Sequence, residues 1–305
     1  MIKAAILADH LDHFDLPRLV QLLHDHPDVE LIAYADAKNN GTRLDELYPA
    51  LTGETELVIS HKINPDDINV VFIATSKETA SRFISDNNLP ENLCVIDLSG
   101  QFNLPAESNP FVLGIPELNR KSMVRGAKYV SMPAATTTAV ALGLLPLAKN
   151  LMLNGPIHTQ IVLNNHIAES EAISRELLDD DVSGQLSAAL SSLQSSFSAP
   201  ISGIVFSGDI PEGLIAVTTI DTNTDLDEIK RLYAEFYDDH NFTFLVDNAP
   251  DTNDVRDTNK CFIHLDKKDG QLIVTTVLDT DMKGGAGNAV HAMNLLFGLI
   301  EKVGL

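Results

Sequence analysis

Two apolar rhythms run along the chain. Through the first half, short and nearly uninterrupted apolar runs at 2–8, 29–35, 70–74, 94–98 and 129–132 have strand length. Between them lie segments with helical spacing. The clearest is 16–24, where Leu16, Leu19, Val20, Leu22 and Leu23 form one face. Further helices are predicted over 77–87 and 138–150, a short strand over 57–60, a turn at Asn39-Asn40-Gly41 and a loop through Gly114. Strands that are apolar on both faces and alternate with helices predict a parallel, doubly wound sheet.

The second half follows a different rule. Runs at 157–163, 201–205, 214–220, 261–265 and 271–278 are strand-like, and several alternate apolar with polar. A Ser/Ala-rich helical stretch covers 182–197. An amphipathic helix covers 226–237, with Ile229, Leu232, Tyr233 and Phe236 on one face. Grouped, alternating strands with helices to cover them predict an α+β domain with a mainly antiparallel sheet. A glycine-rich turn, Lys283-Gly284-Gly285-Ala286-Gly287, then opens a last helix over 288–300. The fold class is therefore α/β: a Rossmann-like domain over 1–137, rejoined by 283–305, and a second α+β domain over 138–282.

Composition narrows the functions. The 305 residues are 44% hydrophobic and carry 21 Lys plus Arg against 43 Asp plus Glu, a formal charge of -22. Such a surface repels phosphate backbones and anionic lipid heads, so neither nucleic acid nor a membrane is an expected partner. No run has the length of a membrane span and no signal peptide is expected. Cys94 and Cys261 lie inside apolar strand-like runs and read as reduced packing residues of a cytoplasmic protein.

Several segments carry a resemblance. They are His26-Pro27-Asp28-Val29-Glu30-Leu31; 44–51 (Leu-Asp-Glu-Leu-Tyr-Pro-Ala-Leu); 95–102 (Val-Ile-Asp-Leu-Ser-Gly-Gln-Phe); Gly114-Ile115-Pro116-Glu117-Leu118-Asn119-Arg120; and 283–290, continuing to Gly304-Leu305. Together, in this order, they resemble N-acetyl-γ-glutamyl-phosphate reductase, the NADP-dependent enzyme of arginine biosynthesis. The resemblance implies a Rossmann-like domain, an α+β domain carrying most subunit contacts, a homo-oligomer and NADP as cofactor. It also implies a cysteine thiolate that attacks an acyl phosphate and yields a thioester for hydride reduction.

The residues at the expected site depart from that pattern. Where the resemblance implies the cysteine, the chain reads Met132-Pro133-Ala134-Ala135-Thr136, and Ala135 supplies no nucleophile. The threonines at 136–138 read as a turn opening the next helix. A dinucleotide cradle needs glycines after the first strand. Here 9–15 reads Asp-His-Leu-Asp-His-Phe-Asp, with no glycine before Gly41. Asp36, after the second strand, stands where an acidic residue reads a ribose and would repel a 2′-phosphate. Lys283, Gly284 and Gly287 form an anion-binding loop or, alternatively, a packing turn that lets the last helix dock. The resemblance also implies histidine acid/base groups, and His166 is the one nearby candidate. His10 and His13 lie three apart, but no metal site is expected from them. The reading that follows is a divergent family member, impaired in the reduction, that binds a small-molecule ligand or assembles with itself or with an active homologous subunit. An active reductase of altered mechanism and a new hydrolytic enzyme in the same cleft remain alternatives.

Overall fold

The computed structural model describes residues 1–8, 16–164, 173–208 and 212–305. It divides into two compact units, Met1–Met132 with Ala286–Leu305, and Pro133–Gly285. These limits lie a few residues from the boundaries expected at 137 and 283.

The first unit runs β1 (Ile2–Ala8), α1 (Leu16–Asp25), β2 (Val29–Ala35), α2 (Leu44–Leu47), β3 (Val70–Ala74), α3 (Lys77–Asp86), β4 (Cys94–Asp97), β5 (Val112–Leu113), α4 (Pro116–Val124) and β6 (Tyr129–Ser131). Its sheet is parallel throughout, in the order β2-β1-β3-β4-β6-β5. The order reverses direction beside β1, which makes the carboxyl ends of β1 and β3 the switch point of an open sheet. Every residue of β3 and β4 is buried, as the unbroken apolar runs predict. One face of the sheet packs Leu19, Leu23, Val290 and Met293 against Ile6, Phe72 and Ile96. The other packs Ala80 and Phe83 against Ala5, Val71 and Val95.

Two expectations change here. Segment 57–60 makes only isolated bridges, Arg43 with Val58 and Ala35 with Ser60, because the register brings single residues into pairing distance. The sequence pattern places no helix between the loop through Gly114 and the strand at 129, yet α4 lies there. Pro116 is the first residue of α4, where its missing N–H costs nothing, and Asn119 Nδ2 donates to the Leu113 carbonyl at 2.8 Å.

The second unit contains α5 (Ala135–Lys149), β7 (Ile157–Asn164), β8 (Ser174–Leu177), α6 (Asp180–Leu193), β9 (Ile201–Gly208), β10 (Leu214–Asp221), α7 (Leu226–Tyr237), β11 (Thr243–Leu245), β12 (Cys261–Lys268) and β13 (Gln271–Leu278). Its sheet order is β11-β12-β13-β10-β7-β9-β8. The pairings are antiparallel except β7 with β9 and β11 with β12. The short edge strands β8 and β11 escape sequence reading because too few residues alternate to show a period.

α5 is apolar all round and buried for nearly its whole length. Pro146 inside it has no N–H, so the Leu142 carbonyl one turn back loses its helical donor. The Tyr237 hydroxyl on α7 donates to that carbonyl instead, and the Tyr233 hydroxyl donates to Gly143 O at 2.6 Å. α7 is thereby fixed across α5 by two buried hydroxyls.

The opposite face of this sheet carries no helix among the described residues. Leu177, Ile204, Phe206, Val162, Ile215, Val217, Phe262 and Phe244 lie on it as partly or fully exposed apolar side chains. The chain ends in α8 (Ala286–Leu296), which returns to the first unit. Among the described residues no helix is long and apolar enough to cross a membrane.

Candidate functional site

Ala135 is the first residue of α5 and is half-buried. The helix start has no side-chain cap, and the Thr138 hydroxyl instead donates back to the Ala134 carbonyl at 3.2 Å. A thiol at this position would lie in the positive field of a helix N-terminus, which lowers a cysteine pKa. A methyl group gains nothing from that field.

The turn beneath it explains one glycine. A Cβ on Gly284 would come within 2.6 Å of the Ala135 Cβ and 2.8 Å of the Thr280 carbonyl oxygen. Gly284 N–H donates to Asp279 O at 2.8 Å and Gly285 N–H to Met282 O at 3.2 Å, so these amides hold the turn. Lys283 is wholly buried, with its ammonium 5.8 Å from the Phe242 ring centre. Gly287 lies buried in the first turn of α8.

Asp36 is also committed locally. It is 3% exposed; one oxygen accepts the Lys38 N–H at 2.9 Å and the other accepts Asn39 Nδ2 at 2.6 Å. The carboxylate therefore ties the turn that follows β2. His166, the histidines at 10 and 13, and the aspartates of 9–15 lie outside the described residues.

Neither cysteine is presented as a nucleophile. Cys94 opens β4 and is buried, and burial pushes its thiol above the ordinary range. Cys261 is wholly buried at the start of β12. The carboxylates of Glu212, Asp279 and Asp281 lie within 4.8 Å of one another. Asp279 uses both oxygens as turn acceptors, from Asp281 and Met282 N–H on one and Asp257 N–H on the other. The group is therefore anchored as a loop brace.

The segments that carried the resemblance converge on a different task. His26 Nδ1 accepts the Asp28 N–H at 3.1 Å, so its Nε2 carries the proton and donates to Asn294 Oδ1 at 3.1 Å. Asn294 Nδ2 then donates to the carbonyls of Glu301 and Val303. Glu301 pairs with Arg120 and meets His291 Nε2 at 2.9 Å. Asn288 Nδ2 donates to Gly114 O at 2.9 Å. These contacts clamp α8 and the last residues onto the first unit. None of these contacts shows in the sequence pattern, because their partners are up to 268 positions apart.

The carboxyl ends of β4 and β6 hold a different kind of polar group. Asp97 is fully buried, and its Oδ1 accepts the Ser99 N–H at 3.1 Å and the Ser99 hydroxyl at 2.6 Å. Burial pushes its carboxyl up to about 6, against the pull of those bonds and of the Phe102 and Gln101 amides.

Residues 17–125 match the family described as the NAD binding domain of semialdehyde dehydrogenase, and 186–280 match its dimerisation domain. In fold the chain is similar to aspartate semialdehyde dehydrogenase II of Vibrio cholerae, with TM-score 0.74 and 12% identity over 98% of both chains. It is equally similar to aspartate semialdehyde dehydrogenase with NADP from Candida albicans, with TM-score 0.74 and 13% identity over 97% of this chain and 98% of the other. In sequence it is 37% identical to N-acetyl-gamma-glutamyl-phosphate reductase of Parabacteroides distasonis and 35% identical to that of Bacteroides thetaiotaomicron. Both alignments span all of this chain and 98% of the relative. On that full-length identity, the chain belongs to the N-acetyl-gamma-glutamyl-phosphate reductase family.

Proposed function

We propose that this chain keeps the reductase framework without the covalent chemistry, and that it works as a binding or assembly protein. The observation that carries the reading is Ala135, a methyl group at the first position of α5, where the motif order puts the family's thiol. Cys94 is no substitute: it opens β4, whereas open α/β sheets bind ligands beyond the carboxyl ends of their strands. Cys261 is sealed inside β12.

The cofactor argument runs the same way. The Asp36 carboxylate is fixed at the end of β2 by Lys38 and Asn39, a negative charge where a 2′-phosphate would have to approach. The sequence after β1 adds three aspartates and no glycine. These residues do not fit a pyrophosphate cradle, and no reaction step is assigned to a nicotinamide here. The reduced, buried cysteines agree with a cytoplasmic protein.

Assembly rests on the uncovered apolar face of the second unit. A contiguous face of this kind marks an interaction surface, and the match to a dimerisation domain favours a second copy of this chain as its occupant. An active homologous subunit would use the same face. The competing reading, an active reductase of altered mechanism, is favoured by the full-length identity to proteins bearing that name.

Calorimetric titration with NADP and NAD separates the two. We expect no binding near the micromolar range, and a dissociation constant of about 1 μM or tighter would overturn the proposal. We expect no phosphate-dependent oxidation of N-acetylglutamate semialdehyde, and no rescue of an arginine auxotroph lacking the reductase. The Ala135→Cys variant should alkylate readily with iodoacetamide yet remain without turnover, because one thiol does not rebuild the cradle.

A further inference from the structure

Three buried oxygen atoms at one end of the parallel sheet have no hydrogen-bond partner among the described residues: Asp97 Oδ2, Ser131 Oγ and Asn103 Oδ1. Their residues are 0%, 1% and 6% exposed. They are neighbours by construction. Asp97 ends β4 and Ser131 ends β6, and the parallel register sets them opposite one another. Side chains so paired stand on the same face of a sheet, about 5 Å apart at the backbone. Asn103 is tied to the same spot, because its Nδ2 donates to the Met132 carbonyl at 3.2 Å while Met132 N–H donates to Asp97 O at 2.7 Å.

The chemistry of the three atoms is one-sided. A carboxylate oxygen and an amide oxygen only accept, and a hydroxyl accepts as readily as it donates. Leaving a buried acceptor unsatisfied is destabilising, and more so for a charged group. Native interiors seldom keep such atoms without a reason. Among the described residues the Asp97 carboxylate makes no ion pair. Burial raises the Asp97 carboxyl, opposed by the Ser99 hydroxyl and by the amides of Ser99, Phe102 and Gln101. The Lys77 side chain crosses Gly100, with its Cε 3.8 Å from where an alanine methyl would lie; Asn103 Nδ2 lies 3.6 Å from the same point. The position is also where an open α/β sheet receives ligands, beyond the carboxyl ends of its strands.

We propose that Asp97, Ser131 and Asn103 form a binding site for the protonated amine head of a small molecule. An alkylammonium offers three N–H donors to three acceptors and a positive charge to the one carboxylate among them. The site does not depend on whether the family's chemistry is retained, since none of its residues is the nucleophile position or the cofactor turn.

The test uses the full chain with methylammonium as probe, and with tetramethylammonium and potassium at the same ionic strength. The two controls matter because a chain of charge -22 attracts any cation. Carbon-detected NMR of the Asp97 carboxyl reads the site directly. At about ten times its dissociation constant, methylammonium should lower the Asp97 titration midpoint by about one pH unit and raise Tm. Tetramethylammonium, which has no N–H, and potassium should do neither. Asp97→Asn keeps the oxygen that holds Ser99 and should fold; it should lose the Tm response, and Ser131→Ala should weaken it. The proposal is overturned by no shift, by an equal shift from either control ion, by a response that persists in Asp97→Asn, or by a bound water only.

Discussion

The two units solve the burial problem differently. In the first, helices cover the parallel sheet on both sides, and each face has its own apolar core. In the second, α5, α6 and α7 cover one side of a mainly antiparallel sheet, and Val162, Phe206, Ile215 and Phe262 stand on the other. A parallel sheet must be covered twice, whereas an antiparallel sheet can leave one face to water or to another molecule. Here that face is apolar. The difference teaches that burial is finished on both faces of the first sheet, whereas the second leaves an apolar face uncovered among the described residues. The hydrogen bonds that hold α8 in the first unit and the apolar face of the second do not involve residue 135.

The strongest way to break this comparison is to charge the open face. Val162→Asp should raise the dissociation constant of the homo-oligomer by roughly a thousandfold, since an unpaired carboxylate buried in an interface costs several kcal/mol. Sedimentation equilibrium measures it, with circular dichroism confirming the fold. A wild-type chain that is monomeric, or a variant that associates as well as wild type, would end the idea of an incomplete second unit.

Within the first unit, the unusual burial is Asp97. Its carboxyl is raised from 3.8 to about 6 in the folded chain, so between those values the native state holds a proton that the unfolded chain has released. Stability therefore falls as pH rises through that window and is flat above it. The total is about 3 kcal/mol. Asp97→Asn should remove this slope and be more stable than wild type at pH 7. Urea denaturation of both proteins from pH 4 to 7 decides it; parallel profiles would mean that the buried carboxyl is compensated in the folded state.

A smaller effect is expected at the turn beside residue 135. Gly284→Ala forces a methyl against the Ala135 methyl and the Thr280 carbonyl, which should cost about 1–3 kcal/mol. Thermal unfolding reads this, and a neutral outcome would mean that the glycine is kept for something other than packing. The smallest change should follow Asp36→Ala. Loss of its bonds to Lys38 and Asn39 removes about 1 kcal/mol without altering dinucleotide titration. Tighter NADP binding in that variant would show that Asp36, and not the missing glycines, is what excludes the cofactor.

How much was legible beforehand differs from residue to residue. The strands of the first sheet could be read because burial on both faces leaves long apolar runs, and α1, α3 and α7 because one apolar stripe repeats at helical spacing. β5, β8 and β11, each no longer than four residues, left no such signature. α4 was hidden behind Pro116, which can open a helix as readily as it shapes a turn. At the candidate site, the absence of a thiol at 135 was visible in the sequence. That Lys283 is buried over Phe242, and that Asp36 spends both oxygens on its own turn, was not. Sequence gives the kind of group a residue carries but not what already occupies it.

The amino-acid order alone decided the class of each half and the family, because periodicity and motif order are one-dimensional properties. Only the folded chain could decide that His26 reaches Asn294, that Glu301 meets Arg120 and His291, and that Asp97 and Ser131 come to rest side by side with acceptor atoms unmatched. Hydrogen bonds and desolvation depend on distances between atoms remote in sequence, and those distances exist only once the sheet has formed.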